Sequence, residues 1–247
     1  MRKHILGLAA FTVLALAAVA APPPGEGWVS LFNGNDFTGW KVPEAAKDCW
    51  SIMDGTIDCD PKTGRKGETS LWSEQEFGDI DLYCEWKIKR TEGTYDTPTV
   101  LPSGLHKKGD DGKDILTPLP NADSGIYLRG TPNAQVNIWC WPIGSGEVYG
   151  YRMDDKMPPE VRAGVTPKKK ADKPVGEWNA FLITTKGDRL TVVLNGETVL
   201  DKAQLPGVPD KGPIALQLQG GYDEATKKWN GASSLVQFKN IYYRPAK

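Results

Sequence analysis

The stretch FLITTKGDRLTVVLNGETVL, residues 181–200, indicates three consecutive β-strands joined by two tight turns. Its three apolar runs are separated by Lys186-Gly187-Asp188 and by Asn195-Gly196. Asn-Gly between two apolar runs is the strongest short-range sequence signal for a β-hairpin. The segment therefore predicts an antiparallel meander.

Strand-like segments recur through the rest of the chain, and no stretch after residue 20 keeps a helical period over about 12 residues. Turn-forming residues are abundant, with 27 Gly and 19 Pro. About a dozen short strands separated by such turns are typical of a sandwich of two antiparallel sheets. We therefore predict an all-β fold with strands at 28–32, 49–53, 56–59, 70–72, 81–89, 124–129, 135–141, 178–185, 190–194, 214–219 and 234–243.

The charges are nearly balanced. The 247 residues include 30 Lys and Arg against 31 Asp and Glu, a net charge of −1. Proteins that hold nucleic acid through its phosphates need a basic surface, so we expect no nucleic-acid partner. Hydrophobic residues make up 39% of the chain, which is enough for a packed core.

The first 20 residues have the pattern of a secretory signal peptide. Arg2, Lys3 and His4 precede an apolar run, and Ala18-Val19-Ala20 supplies small residues for cleavage. The apolar run is short for a membrane span, and no later stretch is longer. We expect export to the periplasm or the extracellular space, without membrane insertion.

One β-sandwich domain is expected to account for residues 21–247. Two segments, 91–122 and 142–177, break the strand rhythm and are rich in Gly, Pro, Asp and Lys. Loops of that length in a compact domain are usually functional or mobile insertions. We therefore predict long loops at both places.

Four cysteines follow residue 20, and an exported protein meets an oxidising compartment. If Met53-Asp54-Gly55 is a three-residue hairpin loop, Cys49 lies opposite Cys59, which predicts a disulfide between them. Buried thiols are the alternative, because a one-residue shift of register turns the two sulfurs to opposite faces. The pairing of Cys84 and Cys140 is left open.

Polar and aromatic side chains share one parity of several predicted strands. Even positions from 82 to 88 are apolar, which leaves Tyr83, Glu85 and Lys87 on the opposite face. The later strands alternate in the same way and present Tyr127, Arg129, Gln135, Asn137, Trp139, Gln217 and Gln219. Flat rings beside amide and charged groups are what sugar binding requires. The alternative is an ordinary solvent-facing sheet with cross-strand Glu–Lys pairs.

Standard catalytic constellations are scarce. His106 is the one histidine after residue 20, so a Ser-His-Asp triad or a multi-histidine metal site is disfavoured. The segment Gly109-Asp110-Asp111-Gly112-Lys113-Asp114 offers oxygen ligands to calcium, but it lacks the full loop pattern and is more often a plain turn. A divalent metal such as calcium is kept open as a cofactor.

A series of short motifs covers almost the whole chain after residue 20. They are LFNGNDFTGW at 31–40, DLYCEWK at 81–87, DSGIYLR at 123–129, GEVYG at 146–150, GEWN at 176–179, LNG at 194–196, GPIALQ at 212–217 and FKNI at 238–241. In this order they resemble the 3-keto-disaccharide hydrolase family, also described as 3-keto-glucoside 1,2-lyase/hydratase. The resemblance implies a concanavalin A-like, jelly-roll β-sandwich that bacteria export and that acts on oxidised mono- or disaccharides and other glycosides.

The implied chemistry starts from a ketone at C3, which acidifies the C2 proton. A base removes that proton, the C1 substituent leaves by elimination, and water adds to the resulting glycal. On the polar parity Glu85 is the carboxylate best placed as base, with Lys87 and Arg129 as enolate or oxyanion stabilisers. The predicted sugar contacts are Tyr83, Tyr127, Gln135, Asn137, Trp139, Tyr149, Gln217 and Gln219. For the three charged residues, a salt-bridged strand face is the alternative.

Two motifs depart from the pattern of the family. Where it commonly has Glu-x-Gln-(Ile/Leu)-x-Asp, this chain has Gln135-Val136-Asn137-Ile138-Trp139-Cys140. Where it commonly has Leu-Gln-x-His-Gly, this chain has Leu216-Gln217-Leu218-Gln219-Gly220. Amides bind hydroxyls but do not transfer protons near neutral pH. A non-catalytic carbohydrate-binding module is therefore the alternative function.

Overall fold

A computed structural model describes residues 23, 25–62, 67 and 69–246. The signal-peptide prediction at 1–20 lies outside the described residues. Nowhere in the described ranges does a helix have the length and apolar character needed to cross a membrane.

Seventeen strands and three short helical segments make up the described structure. The strands are β1 (Val29–Ser30), β2 (Trp40–Lys41), β3 (Trp50–Met53), β4 (Thr56–Cys59), β5 (Leu71–Phe77), β6 (Ile80–Ile88), β7 (Tyr95–Pro98), β8 (Leu116–Leu119), β9 (Asp123–Leu128), β10 (Thr131–Trp139), β11 (Asn179–Lys186), β12 (Arg189–Leu194), β13 (Glu197–Gln204), β14 (Gly212–Leu216), β15 (Tyr222–Asp223), β16 (Lys228–Trp229) and β17 (Val236–Pro245). A 3₁₀ turn spans Glu44–Ala46, and the helices are α1 (Tyr149–Arg152) and α2 (Pro159–Gly164).

Two antiparallel sheets form the sandwich. The eight-stranded sheet has the order β13-β12-β11-β6-β17-β4-β3, with β1 also paired to β17. The five-stranded sheet has the order β10-β9-β14-β5-β2. The predicted all-β sandwich of two antiparallel sheets is therefore confirmed.

The core lies between the two sheets and follows the predicted alternation. The even positions of β6 from 82 to 88 are buried, whereas Tyr83, Glu85 and Lys87 are half-buried. Phe181 of β11 is fully buried and packs its ring 5.3 Å from that of Trp86. One apolar cluster joins these residues to Ile126, Val136, Ile138, Ile214 and Leu216 of the five-stranded sheet.

The predicted meander is present as β11-β12-β13. Leu194 lies opposite Glu197, so Asn195 and Gly196 form a two-residue turn, and both have positive φ (53° and 85°). That backbone is the type I′ turn that Asn-Gly favours. The Asn195 side chain also fastens the turn, because its amide donates to Ala171 O and Asn179 Oδ1, each at 2.8 Å.

The predicted Cys49–Cys59 disulfide is wrong, because the hairpin register differs by one residue. Cys59 lies opposite Trp50, and Met53 lies opposite Thr56. The loop is therefore the two-residue turn Asp54-Gly55, with φ of 50° and 71°, rather than a three-residue loop. The shift gives Cys49 and Cys59 opposite parity.

Both long segments carry short secondary structure. Segment 91–122 contains the ribbon β7–β8, and segment 142–177 contains α1 and α2. Residues 146–147 pair with the edge strand β10 through Asn137, which donates to Glu147 O and accepts from Gly146 N. The second segment therefore extends the five-stranded sheet beyond its edge.

Two adjacent residues of β11 test the alternation of side chains between the core and the outer face of the sheet. Phe181→Ala empties a fully buried site and should lower the free energy of unfolding by about 3–5 kcal/mol. Leu182→Ala, on the half-buried outward side, should lower it by less than about 1.5 kcal/mol. Denaturant unfolding of the two variants measures both values, and equal losses would contradict the assigned faces.

Candidate functional site

The predicted site residues lie on two outward faces that the core separates. Tyr83, Glu85 and Lys87 project from β6 in the eight-stranded sheet. The predicted contacts on β9, β10 and the end of β14 belong to the five-stranded sheet. Because both strand sets bury their apolar parity in the same core, their polar parities point away from each other. The prediction of a single shared cleft is therefore wrong.

On the eight-stranded sheet the charged groups contact one another. Tyr83 donates its hydroxyl to Glu85 Oε1 at 3.0 Å, and Lys239 Nζ lies 3.6 Å from Glu85 Oε2. Lys87 and Lys239 both lie over the ring of Trp178, at 4.7 and 4.2 Å. Burial, with the bond to Glu85, raises the pKa of Tyr83. This is the cross-strand network that the alternative interpretation described.

Arg129 is an internal anchor rather than part of either face. It occupies the turn between β9 and β10 with φ of 51° and is 4% exposed. Its guanidinium donates to Gly187 O at 2.7 Å, Pro209 O at 3.1 Å and Asp79 Oδ1 at 2.7 Å. The geometry thus gives Arg129 a structural role, in place of the predicted oxyanion contact.

The five-stranded sheet carries the remaining predicted contacts in register. Gln135 lies opposite Tyr127, Asn137 opposite Gly125, and Trp139 opposite Asp123. We call this surface the amide face and define it by Asp123, Tyr127, Gln135, Asn137, Trp139, Gln217 and Gln219. These residues fall on three adjacent strand paths, so the structure does bring this part of the prediction together.

Two glutamines form the middle of the amide face. Gln135 Nε2 donates to Gln217 Oε1 at 2.6 Å and to Ser124 O at 3.2 Å. A Cβ on Gly125 would come within 2.4 Å of Gln135 Nε2, so glycine is what allows this amide to lie flat against the sheet. Both glutamines are 8% exposed. Their fixed amides offer oriented hydrogen-bonding groups to a ligand.

Aromatic rings border the amide face at both ends. Trp139 is stacked on Trp141, with ring centroids 4.0 Å apart and 2° between planes, and Tyr149 meets Trp139 edge-on at 6.3 Å. Trp139 is itself buried and donates Nε1–H to Gly144 O. Trp141 is more open to solvent, so it presents the ring that a sugar can cover. At the other end, Trp72 of β5 contacts Tyr127 at 5.7 Å.

Asp123 is the residue that sequence reasoning missed. It is the single acidic residue of β9, β10 and β14, it is half-buried, and it lies opposite Trp139. Burial raises the pKa of its carboxyl to about 7. A carboxyl with that pKa can both accept and return a proton at neutral pH. Asp123 shares its odd parity with Tyr127, which could have placed it on the same face. The predicted strand began at residue 124, so Asp123 was left out of it.

Gln219 is brought next to Asp123 by a serine. Ser234 Oγ donates to Asp123 O at 2.7 Å and accepts from Gln219 N at 2.7 Å. Gln219 is exposed, so its amide is available at the end of the face where Asp123 lies. The backbone at the position where the resembled family commonly has histidine is therefore one serine away from the backbone of Asp123.

A metal site is not identified. Within the described ranges, no three His, Cys, Asp or Glu side chains come together as metal ligands would. In the segment 109–114, Asp114 instead pairs with His106 and Lys108. The divalent cation stays a prediction.

Comparison with known proteins identifies the family. The sequence profile of the 3-keto-alpha-glucoside-1,2-lyase-like domain matches residues 27–244. The chain belongs to this family. It is thus a carbohydrate-active protein with a hydrolase-like β-sandwich. No curated protein matches the chain.

Solved structures give the same fold. A proposed glycosyl hydrolase from Parabacteroides distasonis ATCC 8503, solved at 2.13 Å, aligns with a TM-score of 0.55 and 20% identity over 88% of this chain and 83% of that chain. A second from the same organism, solved at 2.00 Å, aligns with a TM-score of 0.52 and 20% identity over 89% and 99%. At such identities the likeness describes the fold alone.

The raised pKa of Asp123 makes stability depend on pH. Between about pH 4 and 7 the folded protein binds this proton more tightly than the unfolded chain, so stability falls as pH rises. Asp123→Asn removes the cost of ionising this buried carboxyl. At pH 8 the variant should therefore be more stable than wild type, by at most about 4 kcal/mol. At pH 4, where the wild-type carboxyl is protonated, the two should differ by almost nothing for this reason.

Urea unfolding at the two pH values measures the difference. Asp201→Asn, an exposed carboxylate of β13, is the matched control and should show no such change with pH. A stability difference between Asp123→Asn and wild type that stays constant from pH 4 to 8 would contradict the burial of this carboxyl.

Proposed function

We propose that the amide face binds a glycoside oxidised at C3 and that Asp123 is the proton carrier of its cleavage. The observation that carries the proposal is a half-buried carboxyl of pKa about 7 on the face that also holds two oriented amides and an open tryptophan ring. Membership of a 3-keto-alpha-glucoside-1,2-lyase-like family supports the substrate class.

The proposed reaction begins with the ionised Asp123 removing the proton from C2. The electrons of the C2–H bond move into the enolate of the C3 ketone, and amide N–H groups of the face stabilise its oxygen. Collapse of the enolate breaks the C1–O bond, and the protonated Asp123 returns its proton to the departing oxygen. Water then adds across the glycal, so the net reaction is hydrolysis.

The surroundings of Asp123 suit that role. The substrate ring stacks on the face of Trp141 that Trp139 leaves uncovered, at the end of the amide face where Asp123 lies. The carboxyl titrates near neutral pH because burial disfavours its charge, so it is a strong enough base to work and a strong enough acid to return the proton. The pattern of residues 1–20 supports export, so we place this reaction outside the cytoplasm.

A second function, sugar binding without turnover, is favoured by a specific observation. Gln135 and Gln219 stand where the resembled family commonly has a carboxylate and a histidine, and amides do not carry protons. The two functions share the amide face and differ in whether Asp123 suffices as proton carrier. Binding of the keto-sugar with no release of product would favour the second.

Turnover of a 3-keto-disaccharide by Asp123→Asn separates the two functions. We expect at least about a 100-fold loss of kcat, because the amide cannot take the C2 proton, while binding of the sugar persists. Product release followed by chromatography, with binding followed by calorimetry, measures the two effects.

Two control variants sharpen this experiment. Glu85→Gln removes the carboxylate of the opposite face, and Asp201→Asn removes an exposed one; both should keep wild-type turnover. Loss of turnover in Glu85→Gln together with full activity in Asp123→Asn would overturn the proposal and restore the sequence-based assignment.

A further inference from the structure

A cavity lies apart from the amide face, where the two long segments meet. Its volume is about 310 Å³, at the lower end of the range for small-molecule pockets. His106, Lys108 and Asp114 come from segment 91–122, and Arg152, Asp155 and Arg162 come from segment 142–177. The proposed reaction uses none of these residues.

The two segments are held together tightly around this cavity. Arg152 Nη1 donates to Gly104 O at 3.0 Å. A Cβ on Gly104 would lie 2.9 Å from Arg162 O, so glycine is what lets the first segment pack this closely on α2. The cavity is therefore a built part of the fold.

Charged side chains of both signs surround the cavity. Arg152 is 2% exposed and is neutralised by the fully buried Glu147, which lies behind the cavity wall. At the other side, the carboxylate of Asp114 is shared by Lys108 and by His106 Nδ1, which is 2.8 Å away. Asp155 is exposed at the rim, where solvent screens its charge. The half-buried guanidinium of Arg162 adds a further positive charge.

Three nitrogen atoms in this wall are buried with no hydrogen-bond partner among the described residues. They are Arg152 Nη2, Arg162 Nε and His106 Nε2. Both arginine atoms are donors, and His106 Nε2 is a donor when the ring is protonated. Buried N–H groups without an acceptor are rare in folded proteins, because burying them unpaired is unfavourable. Glu147 Oε2, which is also buried without a partner, is an acceptor for Arg152 Nη2, and an acceptor group in the cavity would satisfy the other two atoms.

We propose that this cavity binds a small oxyanion, namely a carboxylate, phosphate or sulfate group. Such a group presents several acceptor oxygens with negative charge, which matches guanidinium donors in geometry and in sign. A divalent cation fits poorly, because the described residues here form no metal-ligand cluster and the unpartnered buried atoms include two arginine N–H donors. The site is separate from the amide face, although Tyr149 contacts both Trp139 and the Arg152 guanidinium.

Calorimetric titration of the full chain with inorganic phosphate, sulfate and acetate tests this proposal, with sodium chloride holding the ionic strength constant. We expect saturable binding of at least one of them with one site per chain. Arg162→Gln should weaken that affinity about tenfold or more, since a charge-assisted contact is lost. Arg189→Gln, an arginine on β12 outside the cavity, is the matched control and should bind as wild type does.

Lys108→Gln is a second variant. The Lys108 side chain is largely exposed, so we expect this substitution to leave folding intact. It should weaken binding by a smaller factor than Arg162→Gln. Tighter binding of a sugar acid or sugar phosphate than of the free ions would assign the oxyanion to a sugar. Absence of saturable binding by all three ions, or equal affinities of Arg162→Gln and wild type, would overturn the proposal.

Discussion

The structure depends on one constraint: each central strand commits every second side chain to a core that the two sheets share. Leu82, Trp86 and Phe181 on one sheet meet Ile126 and Ile138 of the other in a single apolar cluster. Because neighbouring side chains on a strand point to opposite faces, this burial also decides which way each polar side chain faces. The polar parity of one sheet therefore points away from that of the other.

This constraint divides the polar residues into two surfaces with different chemistry. Glu85 and Lys239 form a cross-strand ion pair beside Trp178, as in many exposed sheets. On the amide face, Gln135 and Gln217 bond to each other, and Asp123 has no cationic partner among the described residues to lower its pKa. Desolvation of one carboxyl thus gives this face the proton-carrying capacity that its amides lack.

The sequence predicted the faces of individual strands well and their assembly poorly. Alternation alone located Tyr127, Gln135, Asn137 and Gln217 on an outward face, because a period of two is a local property. Whether β6 and β9 belong to the same sheet depends on strand order, which local alternation does not encode. The same limit explains the error over Glu85. Its side chain points outward, as its parity predicts, but it lies on the eight-stranded sheet and not beside the amides.

The alternation of side chains also did not determine details of one residue, such as the register of a hairpin or the first residue of a strand. One residue of register in the Asp54-Gly55 hairpin separated Cys49 from Cys59, and one residue at the start of β9 hid Asp123. Arg129 has outward parity, yet the turn conformation sends its guanidinium to backbone carbonyls. Such outcomes follow from turn geometry and desolvation, which depend on tertiary contacts.

We propose that ligand binds on the five-stranded sheet. Backbone amide and tryptophan indole chemical shifts, recorded during titration with a non-hydrolysable 3-keto-glycoside, test it most directly. We expect changes at residues 123–139 and 212–219 and at the Trp141 indole. Changes confined to residues 80–88 and 236–245 would contradict it.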